Sequence, residues 1–275
     1  MDLRGVRGLR TERTLSSEQQ FEQLRSGTID AAVTAIDNVI TWNEKAPEAR
    51  FRAIAQVERT TELVLVARPG ITAISDLAGK TLLVDAPANG FVVALRAMLI
   101  EAGIDETCCM LAPAGGVTER LDALLAGTGD ATLLGPPFYH AAIAQGCNVV
   151  GSVQASWPDF PGQGLVVNTA RLAASRDDCI LSQLTELLGA MDIARRSILS
   201  KPAEAVDIVV RSGVPVGAAS AMLAAVSDTF QPDADGMKRL IQHRATVWPT
   251  RPPLVHADLA DESVLAMLQA ANGKG

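Results

Sequence analysis

Apolar positions along this chain fall into two rhythms. Continuous runs of strand length recur at residues 29–35, 51–57, 62–67, 81–84, 108–112, 130–134, 149–153 and 165–168, and they read as strands covered on both faces. Between them, apolar residues return at three- and four-residue spacing: Phe21 and Leu24, then Phe91, Ala94, Leu95, Met98, Leu99 and Ala102, then Leu121, Leu124 and Leu125. Gly27, Gly103 and Gly127 stand where these helical stretches stop, the usual place for a residue that tolerates positive φ. Residues 9–14 alternate weakly and predict one more short strand. After residue 175 the pattern turns helical, over 180–199, 202–212, 217–226 and 263–271, with Pro252-Pro253 in a connector.

The most informative stretch runs from Lys80 to Ala102. A buried strand leads into Pro87-Ala88-Asn89-Gly90-Phe91 and then a helix. Pro87 forces extended backbone before it, while Asn89 and Gly90 suit a tight turn or a helix cap. A helix begun this way aims free N–H groups and a positive dipole end past the carboxyl edge of a sheet, where anionic or carbonyl-bearing ligands are held. Ala88, Asn89, Gly90 and Phe91 are therefore candidate contacts. The same construction occurs at residues 29–40, where Thr34, Asp37 and Asn38 follow a strand; capping explains Asp37 and Asn38 equally well. Gly27-Thr28-Ile29-Asp30-Ala31-Ala32-Val33 and Gly127-Thr128-Gly129-Asp130-Ala131-Thr132-Leu133 form a near-repeat, as two similarly built halves would. In the loop Pro113-Ala114-Gly115-Gly116, Gly115 allows backbone to approach a cleft closely. The stretch 157–164, with two prolines, two glycines and two large aromatics, makes a rigid apolar wall.

Composition narrows the chemistry. The 275 residues suit one large domain or two lobes; 48% are hydrophobic and 20% charged, a globular balance. A net charge of −7 without a basic cluster, and only 4% aromatics, argue against nucleic acid and against an anionic membrane surface. No run is long enough to span a bilayer. Cys108, Cys109, Cys147 and Cys179 match no zinc spacing and read as buried thiols, and three histidines are too few for a His-based cage. We therefore expect no metal and no cofactor.

Taken in order, several segments carry a resemblance. They are Ser16-Ser17-Glu18 leading to Leu24-Arg25-Ser26-Gly27-Thr28-Ile29-Asp30-Ala31-Ala32; Asp76-Leu77-Ala78-Gly79-Lys80 leading to Val84-Asp85 and Gly90-Phe91; and Arg120-Leu121-Asp122-Ala123-Leu124 leading to Gly129-Asp130-Ala131. Over about residues 10–210 the chain resembles the type II periplasmic solute-binding proteins of ABC importers, in the branch of sulfonate, nitrate and thiamine-pyrimidine-precursor binders. The resemblance implies an α/β, two-lobed fold, each lobe a mixed, mostly parallel sheet flanked by helices, with the C-terminal helices on the first lobe. The lobes would comprise 1–68, 69–164 and a return over 165–275, joined by extended crossovers at 63–68 and 165–168. A small ligand would be enclosed between lobes by hinge closure, touched by Ser16, Ser17, Thr34, Asp37, Ala88, Asn89, Gly90, Gly135 and Pro136. Arg59, beside Thr60, is either a contact for an acidic group or a solvated charge. The partner would be a membrane permease, the protein itself a monomer. Such proteins open with a secretion signal, a strand and a helix ahead of the segment matching Leu9. Neither is found here, so we expect the natural start to lie upstream and the protein to be periplasmic; a genuine start at Met1 would make it cytoplasmic.

Two other functions share this fold. A cofactor-independent enzyme, resembling dihydroxyphthalate decarboxylases or thiamine-pyrimidine synthases, would need an acid or base in the cleft, for which only Asp37, Asp85 and His140 qualify. No nucleophile elbow, phosphate loop or ligand set accompanies them. A cytosolic sensor would be expected to carry a DNA-binding segment. Capture and hand-over of a small anionic or heteroaromatic solute is the leading expectation, without enzymatic activity.

Overall fold

The computed structural model describes residues 9–87, 91–174 and 178–272. The chain begins with α1 (Ser17–Ser26), β1 (Ala31–Ala35), α2 (Asn38–Lys45) and β2 (Phe51–Gln56). It continues through β3 (Val64–Ala67), β4 (Thr81–Val84), α3 (Val92–Glu101), β5 (Met110–Pro113), α4 (Val117–Leu125), β6 (Ala131–Leu134), α5 (Phe138–Ala144) and β7 (Asn148–Ser152). After α6 (Val153–Ser156) come β8 (Gln163–Asn168) and α7 (Thr169–Ala174), then α8 (Asp178–Ser200), α9 (Pro202–Arg211), α10 (Val216–Ala224), α11 (Ala234–Val247) and α12 (Ser263–Asn272). Residues 9–14 form no strand; their alternation is too weak to hold extended backbone without a neighbour to pair with.

Two sheets divide these strands, one ordered β1-β8-β2 and the other β5-β4-β6-β3-β7. The first differs from the mostly parallel expectation, since β8 runs antiparallel to both of its neighbours. The second is mixed: β4 pairs in parallel with β5 and β6, while β3 is antiparallel to β6 and β7. The crossovers also move. Residues 63–68 and 165–168 do not run between sheets but contain or form β3 and β8, each with a strand on both sides, which is why their apolar runs are unbroken. The chain passes between sheets earlier, over residues 57–63 and 153–162. The near-repeat corresponds to equivalent turns: Gly27 (φ 76°) and Gly127 (φ 75°) both close a helix in the left-handed region ahead of a strand, β1 and β6 respectively. Asp130 then ties β3 to β4, pairing with Arg68 at 2.5 Å and accepting from the Thr81 N–H at 2.8 Å.

One core lies around Phe21, Trp42 and Phe51, whose rings stand 5.6 to 6.1 Å apart in tilted and edge-on arrangements. A second cluster joins β2 and β8 to Leu184 and Leu188 of α8 and to Val264 and Leu265 of α12. The outer edge of β2 is covered by later chain, with Ala53 N–H donating to Leu259 and Gln56 N–H to Phe230. Not every C-terminal helix stays on this side, however. α11 packs against α3, and Trp248 at its end lies under the guanidinium of Arg96 from α3, so the C-terminal region touches both halves.

α11 also delivers His243 to the passage 153–162. The imidazole is 4% exposed, 4.1 Å from Trp157 and 5.7 Å from Phe160 between ring centroids, and neither ring nitrogen has a partner. Burial, helped by Arg239 and opposed by Asp159, pulls its pKa down to about 4. A base with a depressed folded pKa gives stability that is present above its unfolded pKa, near 6.5, and lost as pH falls toward the folded value. We predict that unfolding free energy declines between about pH 6.5 and pH 4 by about 3 kcal/mol from this group, measured by urea titration. His243→Phe should remove that decline; an unchanged acid limb in the variant would refute the assignment.

Candidate functional site

The carboxyl ends of β1, β4 and β6 and the starts of four helices meet around one cleft of about 190 Å³. Ser16 and Ser17 open α1, Asn38 opens α2, Phe91 and Val92 open α3, and Gly116 and Val117 open α4; all line the cleft. Each helix start brings N–H groups without an intrahelical acceptor and the positive end of a peptide dipole array. Convergence of four such ends makes the cleft favourable to negative charge. Leu83, Val84, Leu95 and Leu133 supply apolar walls, and Thr14, Gln20, Thr34, Asp85, Arg120 and Gln163 the remaining polar groups.

The polar side chains are anchored before any ligand arrives. Ser16 Oγ caps α1 by accepting from Gln19 N–H at 3.1 Å. Asn38 Nδ2 donates to Thr34 Oγ1 at 2.8 Å. Asp85 Oδ2 accepts from Ser17 N–H at 2.9 Å, a carboxylate on a helix start. Arg120 is 9% exposed; its Nη1 donates to Leu133 O at 2.7 Å and Thr132 Oγ1 at 3.2 Å, and that hydroxyl donates to Leu83 O at 2.8 Å. Burial pulls the Arg120 pKa down, with Asp85 and Glu119 opposing. Three buried polar atoms of these lining residues nevertheless lack partners: Ser17 Oγ, Asp85 Oδ1 and Arg120 Nε. Buried polar atoms are rarely left so.

The cleft is bridged directly. Besides the Ser17–Asp85 bond, Gly116 N–H donates to Leu15 O at 3.1 Å and Arg13 Nη2 donates to Thr118 Oγ1 at 3.0 Å. A Cβ on Gly116 would stand 2.7 Å from Leu15 O, so only glycine permits this approach without pushing the segments apart.

The expected contacts thus separate. Ser16, Ser17, Thr34, Asn38 and Phe91 come together in the lining; Ala88, Asn89 and Gly90 lie outside the described residues. Gly115 is displaced by its neighbour Gly116, and Gly135 and Pro136 precede α5 without reaching the cleft. Arg59 is exposed, with its main chain held by Ala225. Asp37 is 2% exposed but does not line the cleft, and among the described residues no side chain pairs with its carboxylate. Sequence patterning does not single out Gln20, Arg120 or Gln163, which also line the cleft; Arg120 opens the Arg120-Leu121-Asp122-Ala123-Leu124 segment but reads, by itself, as a charge on a helix face.

Burial raises the Asp37 pKa well above the usual carboxylate range, although the Asn38 N–H works the other way. An acid with a raised folded pKa loses stability as pH climbs from its unfolded pKa, about 4, toward the folded one. Asp37→Asn should therefore melt higher than wild type at neutral pH, by on the order of 1–3 kcal/mol, with the gap closing as pH falls to about 4. A variant less stable at every pH would show that the carboxylate is satisfied in the fold.

Among the described residues no three of His, Cys, Asp or Glu gather as a metal set, and no helix is long and apolar enough to cross a membrane. No family model matches the chain, and no curated protein matches it. Solved structures do. The ligand-binding component of an ABC-type import system from Staphylococcus aureus, with zinc bound, superposes with a TM-score of 0.71 at 14% identity, covering 93% of this chain and 86% of that one. The alkanesulfonate-binding protein SsuA from Xanthomonas axonopodis pv. citri, bound to MOPS, gives 0.66 at 18% identity over 92% and 84%. A Candida albicans protein with the generic periplasmic binding protein fold gives 0.67 at 12% identity over 94% and 84%. At these identities the shared property is the fold.

Proposed function

We propose that this chain, which has the two-lobed periplasmic-binding-protein fold, is the substrate-binding component of an ABC-type importer. It captures a small anionic or heteroaromatic solute between its halves and delivers it, as a monomer, to a membrane permease outside the cytoplasm. The observation that carries this reading is the meeting of four helix starts and the buried Arg120 in a cleft closed by direct bonds between segments of the two halves. A cleft of about 190 Å³ holds roughly six water volumes, so the solute is smaller than most drug-like ligands. The alkanesulfonate binding of one neighbour fits the same electrostatics. For an enzyme the supply of acid–base groups is thin: of Asp37, Asp85 and His140, only Asp85 lines the cleft.

Thermal-shift screening against sulfonates, carboxylates, nitrate and pyrimidines, with mass spectrometry of the recovered ligand, tests the proposal. A ligand at a hundred times its Kd should stabilise by about 2.7 kcal/mol, raising Tm by roughly 5–10 °C, and come back chemically unchanged. A transformed ligand would make the protein an enzyme instead. No stabilisation by any class would overturn solute capture.

A further inference from the structure

We infer that Trp248, outside the cleft, latches the two halves together and so sets how readily they part to admit or release a solute; this rests on the capture reading above. The element that both halves share is α11. Polar contacts bind it to the first half. Asp233, its cap, donates its N–H to Gln56 Oε1 of β2 at 2.8 Å, and the buried Arg244 donates from Nε and Nη2 to Glu44 Oε1 of α2 at 3.3 and 3.0 Å. Arg239 Nε meets both carboxylate oxygens of Asp159, in the passage 153–162, at 3.0 and 3.1 Å. Gly236 sits so close to that passage that a Cβ would stand 3.1 Å from Asp159 O. Toward the second half the same helix is apolar. It packs on α3, and its Met237 and Leu240 belong to one buried cluster with Leu95, Met98 and Leu99 of α3. Hydrogen bonds demand a fixed geometry whereas apolar packing is non-directional, so α11 travels with the first half and its contact with α3 is the one that yields.

Trp248 closes that contact. Its ring centroid lies 5.7 Å from the Arg96 guanidinium of α3 and 4.2 Å from that of Arg251, and Arg251 Nη1 pairs with Glu44. A path from α2 through Glu44, Arg251 and Trp248 to Arg96 on α3 therefore spans the halves without entering the cleft, whose lining includes none of these four residues. The half-buried indole holds both guanidiniums by cation attraction and adds its own apolar area. A solute enters and leaves only while the halves are apart. Any contact made in the closed arrangement and lost in the open one thus adds to retention, however far it lies from the solute. Removing the ring shifts the equilibrium toward opening by about threefold to thirtyfold, the range of one such contact.

Native-state amide hydrogen exchange, read by NMR on the full chain, tests the latch without any solute. Ser17 N–H and Gly116 N–H are bonded across the halves, to Asp85 Oδ2 and Leu15 O, and report their parting. Thr81 N–H, bonded to Asp130 within the second half, and Ala53 N–H, bonded to Leu259 on the first, report loosening of each half by itself. In Trp248→Ala the two bridging amides should exchange about three to thirty times faster than in wild type, while Thr81 and Ala53 change by about twofold or less. Trp248→Phe, which keeps a ring with a weaker hold on cations, should fall between. Arg96→Met should speed the same two amides, and combining it with Trp248→Ala should add little more, since both remove one contact. Should the alanine variant fail to fold, Arg96→Met reads that contact from the other half. Equal acceleration of all four amides would make Trp248 a structural residue only and overturn the latch, as would no acceleration of the bridging pair. Neither result touches capture, which falls only if the ligand screen yields no stabilising solute.

Discussion

Arg120→Met will bind the solute at least about a hundredfold more weakly while melting within a few degrees of wild type. The binding loss follows from removing the one buried cation that lines the cleft among the described residues: truncating one side of a buried charged contact costs about 2–5 kcal/mol, because the solute's acidic group would then meet Asp85, neutral polar side chains and helix dipoles but no full positive charge among them. The fold survives for a different reason. Methionine keeps most of the stem volume, and although Leu133 O loses its donor, at about 1–3 kcal/mol, the variant no longer bears the desolvation of a buried guanidinium. Calorimetry and a thermal melt on the same sample separate the two effects. Unchanged affinity in the variant would place the solute elsewhere, and a collapse in Tm with unchanged affinity would make Arg120 a structural residue only.

The largest expected loss of stability belongs to Trp42→Ala. Trp42 is 0% exposed and in ring contact with both Phe21 and Phe51, so it joins α1, α2 and β2. Removing a fully enclosed indole costs about 3–5 kcal/mol, the lost transfer energy plus a cavity the surrounding rings cannot fill. For a chain of this size the melting temperature falls by roughly 10 °C. Trp42→Phe is the informative partner. The indole Nε1 has no acceptor, so phenylalanine gives up volume while relieving an unpaired buried N–H, and the net change should stay within about 1.5 kcal/mol. If both variants lose the same amount, the nitrogen must be bonded in solution.

Much of the site could be read locally because its frame is made of helix starts. Ser16, Asn38 and Phe91 each stand where an apolar run gives way to helical spacing, and such junctions are set by short-range backbone preferences. Asp37 and Asn38 show where local reading stops. Both are polar residues at one junction, yet a rotation of about 100° per residue turns Asn38 toward Thr34 and the cleft while Asp37 is enclosed. The crossovers were misplaced for a related reason. Residues 63–68 and 165–168 look extended and apolar either as linkers or as central strands, and only strand order distinguishes the two.

Local sequence thus determined the alternation of strands and helices, the glycine-terminated turns at Gly27 and Gly127, and the direction of the helix starts, because each depends on backbone sterics and periodicity within a few residues. Tertiary structure alone decided that Arg120 is buried between α4 and β6, that Asp85 reaches α1, that β8 is an antiparallel central strand, and that Gly116 rather than Gly115 closes the cleft. Those outcomes depend on contacts between residues from 13 to more than a hundred positions apart. No local preference encodes such contacts, because burial and charge pairing exist only after the sheets have formed and the halves have met.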